Sequence, residues 1–251
     1  MELFAVGRMA GKYFGEYDGV VKRLFLMVAL MALAPVGAKA ADDAAAPRGA
    51  LLELHSCELF AGSCVVSSEA EVAGNYVLRV WRFEDGKIGG VALRGLTVAL
   101  LERGELNLAV PENRADGAVV YLPKGLRPEQ RATLLAWAAQ NTAAKPSVKE
   151  LPLAAQFGAN KVSFSAGADV AFTGGTPATC EVGGCGEMLW YEPRGASSSF
   201  VVDQLDRSRI VEPLLAMKWM DHGRRTLFVG RFGDPEPTGP AICGAARTAS
   251  L

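Results

Sequence analysis

His55, Cys57 and Cys64 fall within one ten-residue stretch, HSCELFAGSC, of a chain that holds only two histidines and five cysteines among 251 residues. Imidazole and thiolate are the ligands that zinc and copper prefer. In an extended segment His55 and Cys57 point the same way. The Ala61-Gly62 pair lets the chain fold back and bring Cys64 beside them. The same two cysteines could instead close a small disulfide loop, or form a redox pair. Their spacing is not C-x-x-C, which weakens a thioredoxin-type reading. Cys180 and Cys185 frame Glu-Val-Gly-Gly, a loop short and glycine-rich enough to close as a second local disulfide, which leaves Cys243 over. The disulfide candidates are therefore Cys57, Cys64, Cys180 and Cys185.

The second histidine lies in MKWMDH, residues 217–222. Thioether and imidazole together suit copper, especially Cu(I). If this stretch is a strand, Met220 and His222 share a face, and His222 joins the candidate metal ligands. The competing reading makes Met217, Trp219 and Met220 core filler and His222 the start of a His-Gly turn. No G-x-S-x-G is present, and neither Gly89-Gly90 nor Gly174-Gly175 has the lysine of a phosphate-binding loop. His55 and Cys57 as base and nucleophile would diverge from a shared reactive point. The chain carries no catalytic motif, and the expectation is a binding protein rather than an enzyme.

These groups need a compartment and a frame. Lys22-Arg23, an apolar run from Leu24 to Ala34, and Ala38-Lys39-Ala40 read as a secretory signal cut after Ala40. The run is too short for the roughly 20 apolar residues of a membrane-spanning helix. The segment to Ala40 carries five Lys/Arg and three Asp/Glu; of the chain's 26 and 27, 21 basic and 24 acidic residues remain. That balance, with no basic patch, argues against nucleic acid as a partner. The expectation is an exported protein, periplasmic or secreted, with no stable membrane insertion of the mature chain. Its compartment is one in which paired cysteines oxidise.

Residues 72–83, VAGNYVLRVWRF, alternate as a strand, with Tyr76, Leu78 and Val80 on one face and Arg79, Trp81 and Phe83 on the other. Short strands are also expected in GGVALRGLTVALLERG, at Leu106–Val110, Ala118–Leu122, KVSFSAG, DVAFTGG, EMLWYEP and TLFVGRF. SSFVVDQL could be strand or loop, and residues 212–219 strand or short helix. One amphipathic helix is expected at about 128–141. Pro128 opens it, Leu134, Leu135, Ala138 and Ala139 share a face, and Asn141 and Pro146 end it. Strands, one helix, then strands again point to an α+β fold, mainly antiparallel. The expected organisation is a signal at 1–40, a mobile leader at 41–50, one α+β domain at 51–233 and a loose Pro/Gly-rich tail at 234–251.

The cysteine-containing segment, then GGVALRGLTVALLE, then AVVYLPKGLRPEQRATLLAW, resembles an uncharacterised bacterial family, domain-of-unknown-function family 1326. The resemblance covers Leu52 to Asn141 and includes the helix start Pro128-Glu129-Gln130-Arg131. In that family an early C-x-C with C-P-C a few residues later precedes the G-V-x-L-x-G-L strand. Here His55 stands at the first family cysteine and Gly62 at the first cysteine of C-P-C, while Cys57 and Cys64 match the other two. The resemblance implies a metal-binding motif and association with a metal-handling membrane protein; it implies no activity. Two functions are carried forward. One is an exported protein that binds copper or zinc through His55, Cys57, Cys64 and His222. The other is an exported binding or structural module stapled by disulfides, without metal.

Overall fold

The computed structural model describes residues 46–58, 60–61, 73–158, 160–177, 188–189, 193–195 and 200–234. In chain order these form β1 (Arg48–His55), β2 (Phe60–Ala61), β3 (Tyr76–Asp85), β4 (Lys87–Ile88), β5 (Val91–Ala92), β6 (Thr97–Arg103) and β7 (Gly117–Pro123). The helix α1 (Pro128–Gln140) follows, then β8 (Ser147–Leu151), β9 (Leu153–Phe157), β10 (Val162–Ala166), β11 (Val170–Pro177) and β12 (Met188–Leu189). The last elements are β13 (Phe200–Glu212), β14 (Met217–His222) and β15 (Leu227–Phe232), with a single 3-10 turn, Pro213–Leu215, between β13 and β14.

One large sheet runs β8-β7-β6-β3-β1-β15-β13-β11-β10-β9, and β14 pairs with β13 off this path. The sheet curls into a nearly closed barrel. All its pairings are antiparallel except β7 with β8. The two ends of the sheet, β8 and β9, are consecutive in the chain and turn about Pro152. One bent strand therefore finishes the wall, its first half bonded to β7 and its second half to β10.

Period-two alternation sorts the side chains. Leu52, Leu54, Leu78, Val80, Ala99, Leu101, Val119, Phe164, Phe172, Ile210, Trp219 and Leu227 fill the interior. On the opposite face of β1, β3, β6 and β7, Leu51, Trp81, Phe83, Val98, Leu100 and Val120 meet Leu134 and Ala138 of α1. Trp137 of α1 stands edge-on to Phe83, with ring centroids 5.4 Å apart.

The fold is thus of β-barrel class and not α+β. The helix forms as its sequence signals require, from Pro128 to Gln140 with Asn141 at its C-cap. It is a cover on the outside of the wall, not a second layer equal to the sheet. Local periodicity distinguishes strand from helix, but it is silent about whether a sheet closes. Within the helix, Leu134 and Ala138 are buried while Ala139 is exposed. Leu106–Val110, expected as a strand, lies in turns. The ambiguous SSFVVDQL supplies the start of the long strand β13, and residues 213–222 divide into the 3-10 turn and β14. β1 starts at Arg48, inside the stretch assigned to the leader. The signal, the tail beyond Asp234, and Cys64, Cys180, Cys185 and Cys243 lie outside the described residues.

Candidate functional site

Alternation along β1 puts Leu51, Glu53 and His55 on the outer face of the wall. Across the ladder Glu53 stands opposite Arg79 of β3 and Phe228 of β15. The result is a charged cluster with almost no solvent contact. Glu53 and His55 are wholly buried, Arg79 is 3 % and Glu102 2 % exposed. Such burial is tolerated only where each charge is paired and hydrogen-bonded. Here Arg79 pairs with Glu102 and also donates to the Asn141 carbonyl at the end of α1. Its guanidinium carbon lies 5.3 Å from the Trp81 ring centroid.

Glu53 is the most heavily bonded member. His55 Nε2 lies 2.6 Å from Oε1. The backbone amides of Arg194 and Gly195 donate to Oε1 and Oε2 at 2.9 and 3.0 Å. Residues 193–195 thus strap the cluster, and Arg194 Nη1 donates to the Leu108 carbonyl at 2.8 Å. Burial pushes the Glu53 carboxyl up. The hydrogen bond and charge of His55, the charge of Arg79 and the Arg194 amide outweigh it and hold the carboxyl below its usual value. Burial likewise lowers the pKa of Arg194, as do the nearby Arg79 and Arg114, against the pull of Glu102 and Glu53.

Because Glu53 takes up Nε2, His55 has only Nδ1 to offer. That atom is buried and has no hydrogen-bond partner among the described residues. The ring packs edge-on against Phe228 at 5.7 Å. A carboxylate on one imidazole nitrogen that orients the other is the arrangement found behind metal-ligating histidines.

Cys57, two residues on, is also wholly buried. Its Sγ lies 4.0 Å from both Asn107 Oδ1 and Nδ2. Asn107 is fixed by accepting from the Ala109 amide at 2.9 Å. It crowds Gly74, where any Cβ would come within 2.2 Å of Asn107 Oδ1 and where φ is +89°. Glu58 ties this segment to the turn after β14, accepting from the Arg225 amide at 3.1 Å, with Arg224 Nε 3.5 Å away.

His222 ends β14 with its side chain exposed, whereas His55 is enclosed. The two imidazoles therefore do not share one buried centre. β14 divides its residues by alternation: Met217 and Trp219 point into the core, while Met220 is 60 % exposed on the side that also carries Lys218 and His222. Among the described residues no group of three or more His, Cys, Asp and Glu side chains is arranged to hold a metal ion.

Sequence reasoning about the site missed Glu53, Arg79 and Glu102. The available signal was a charged residue inside an otherwise apolar strand: LLELH, YVLRVW and ALLER. It also missed a second polar cluster at the barrel seam. There Glu212, 1 % exposed, accepts from Tyr121 Oη at 2.6 Å, from Lys149 Nζ at 2.5 and 2.8 Å, and from the Leu214 amide at 3.1 Å. Burial and the Glu212 carboxylate hold the Tyr121 phenol far above its ordinary pKa.

No helix among the described residues is long and apolar enough to cross a membrane. No protein-family model, curated protein or solved structure matches the chain.

Proposed function

We propose that this is an exported protein that holds a soft metal ion, copper or zinc, at His55 with Cys57 and Cys64. It would exchange that ion with a metal-handling membrane protein. One observation carries the reading: the buried His55 ring is anchored through Nε2 to Glu53 while Nδ1 has no partner among the described residues. An unsatisfied buried nitrogen costs about 1–3 kcal/mol, and an ion would remove that cost. Imidazole and thiolate are a soft-metal donor set. When bound, the ion supplies a centre for transfer between thiolate ligands. Glu53 orients His55, and the 193–195 strap keeps water from the pair.

The test is metal content of the mature chain, purified without oxygen and with reductant, then titrated with Cu(I) or Zn(II). The expected result is about one equivalent, lost in His55→Ala. In Glu53→Gln, binding should weaken by roughly 10–100-fold, as for other outer partners of ligating histidines. A stoichiometry near zero, unchanged by His55→Ala, overturns the assignment. The alternative is a Cys57–Cys64 disulfide in a metal-free module, as paired cysteines of an exported chain form by default. That reading requires both thiols to resist alkylation until reductant is added.

A further inference from the structure

The bent strand β8–β9 finishes the barrel imperfectly. β8 ends the sheet, bonded to β7, and the β10–β11 turn, Gly167 to Asp169, lines a cleft together with Lys149, Glu150 and Leu151 of β8. The cleft has a volume of about 340 Å³. That lies within the range of small-molecule sites, roughly 300–1,000 Å³. Leu151, Val170 and Val211 supply apolar wall. Lys149, Glu212 and Tyr121 converge on its inner side.

We infer that this cleft is a binding site for a compact, uncharged, largely apolar molecule that carries one oxygen acceptor. The polar groups set the class. Glu212 already accepts from Tyr121, Lys149 and the Leu214 amide, so it has no capacity left for a ligand's donor. Lys149 has three N–H groups, and its two contacts both go to Glu212. With the Lys149 side chain 30 % exposed and both contacts on one carboxylate, an N–H remains for a carbonyl or ether oxygen. An anion gains nothing here, because the one ammonium lining the cleft, Lys149, is already paired with Glu212, and Glu150 and Asp169 add two further carboxylates to the lining. A cation would face Lys149 itself, along with Arg131 and Arg209, which hold Glu150 and Asp169 at the rim. The site is separate from the His55 cluster and does not depend on a metal there.

The probe is benzylacetone, an aromatic ring on a short methyl ketone, titrated into the full mature chain while backbone amide chemical shifts are followed by NMR. Saturable shifts are expected at Leu151, Asp169 and Val170, unchanged in a His55→Ala background. Ala168 sits exposed on the turn at the mouth, so Ala168→Trp narrows the entrance without touching the core. It should weaken binding at least about tenfold, as expected when a ligand loses its pocket. Hydrocinnamate, the same ring with a carboxylate, should bind more weakly than the ketone. Shifts that do not saturate, that are absent, or that persist equally in a folded Ala168→Trp variant overturn the site. Tighter binding of hydrocinnamate overturns the ligand class.

Discussion

Arg79→Leu is the perturbation that tests how the outer face is held together. Arg79 and its partner Glu102 are 3 % and 2 % exposed. Leucine fills much of the space but leaves the Glu102 carboxylate buried without its cation. Breaking such a pair from one side costs about 3–5 kcal/mol. The Asn141 carbonyl at the end of α1 also loses its donor, adding about 0.5–1.5 kcal/mol. Glu53 retains His55 and the two strap amides, so its share of the loss is smaller. Urea unfolding followed by tryptophan fluorescence suits the measurement, because Trp81 and Trp137 border the cluster. A loss of about 4 kcal/mol corresponds to a fall in Tm of roughly 8–16 °C for a domain of this size. Adding Glu102→Leu removes the stranded charge and should recover at least half of the loss. If the single variant loses less than about 1 kcal/mol, or the double variant is worse by the sum of the singles, the pair does not organise this face.

At the seam, Tyr121→Phe removes one donor to a buried carboxylate and should cost roughly 1.5–3 kcal/mol by chemical denaturation. Because the folded phenol stays protonated to higher pH than the unfolded one, its contribution is intact below about pH 10. It is lost as pH rises further, and Tyr121→Phe should flatten that alkaline decline in a pH series of unfolding curves. Glu84 has the opposite sign. Burial raises its carboxyl, but Arg82 and Arg231 outweigh burial and hold it below its usual value of 4.5. Its stabilisation is therefore present above that pH and fades as pH falls through the folded value, so Glu84→Gln should make the acid limb shallower. Gly49 lies at the register shift between β1 and β3, where a Cβ would come within 1.9 Å of the Arg82 carbonyl oxygen. Gly49→Ala should destabilise by about 2–3 kcal/mol, in line with other overpacked sites, as read from the urea midpoint.

What the sequence revealed was local. Alternation in YVLRVWRF correctly separated Leu78 and Val80 from Arg79, Trp81 and Phe83, and Pro128 and Asn141 bracketed the helix. Pairings between distant segments leave no such local trace. Nothing in RGALLELH indicates that it lies between VLRVWRF and LFVGRF, and so nothing local showed that the sheet curls round. The site was legible to the same extent. His55 and Cys57 attracted notice because their types are scarce, whereas Glu53 looked like one more acidic residue. Its role depends on Arg79 opposite and on Arg194 and Gly195, brought in from far along the chain. Lys149 and Glu212 meet only because β8 and the end of β13 face each other across the seam. For β14, one residue's difference in facing decides the outcome, and the sequence alone could not tell whether Met220 points in with Trp219 or out with His222.

The position of β1 in the middle of the sheet governs when this protein can fold. Gly49 is paired with Phe232 and Leu54 with Leu227, so nearly the whole described chain separates the two halves of that ladder. While the chain emerges from its amino end, Leu52 and Leu54 have β3 beside them but no neighbour on the other side. Pairing of such high sequence separation is slow and leaves apolar edges uncovered meanwhile. A chain truncated before Leu227 should accumulate as a sticky intermediate, because the last of the described strands is the one that covers the second edge of β1.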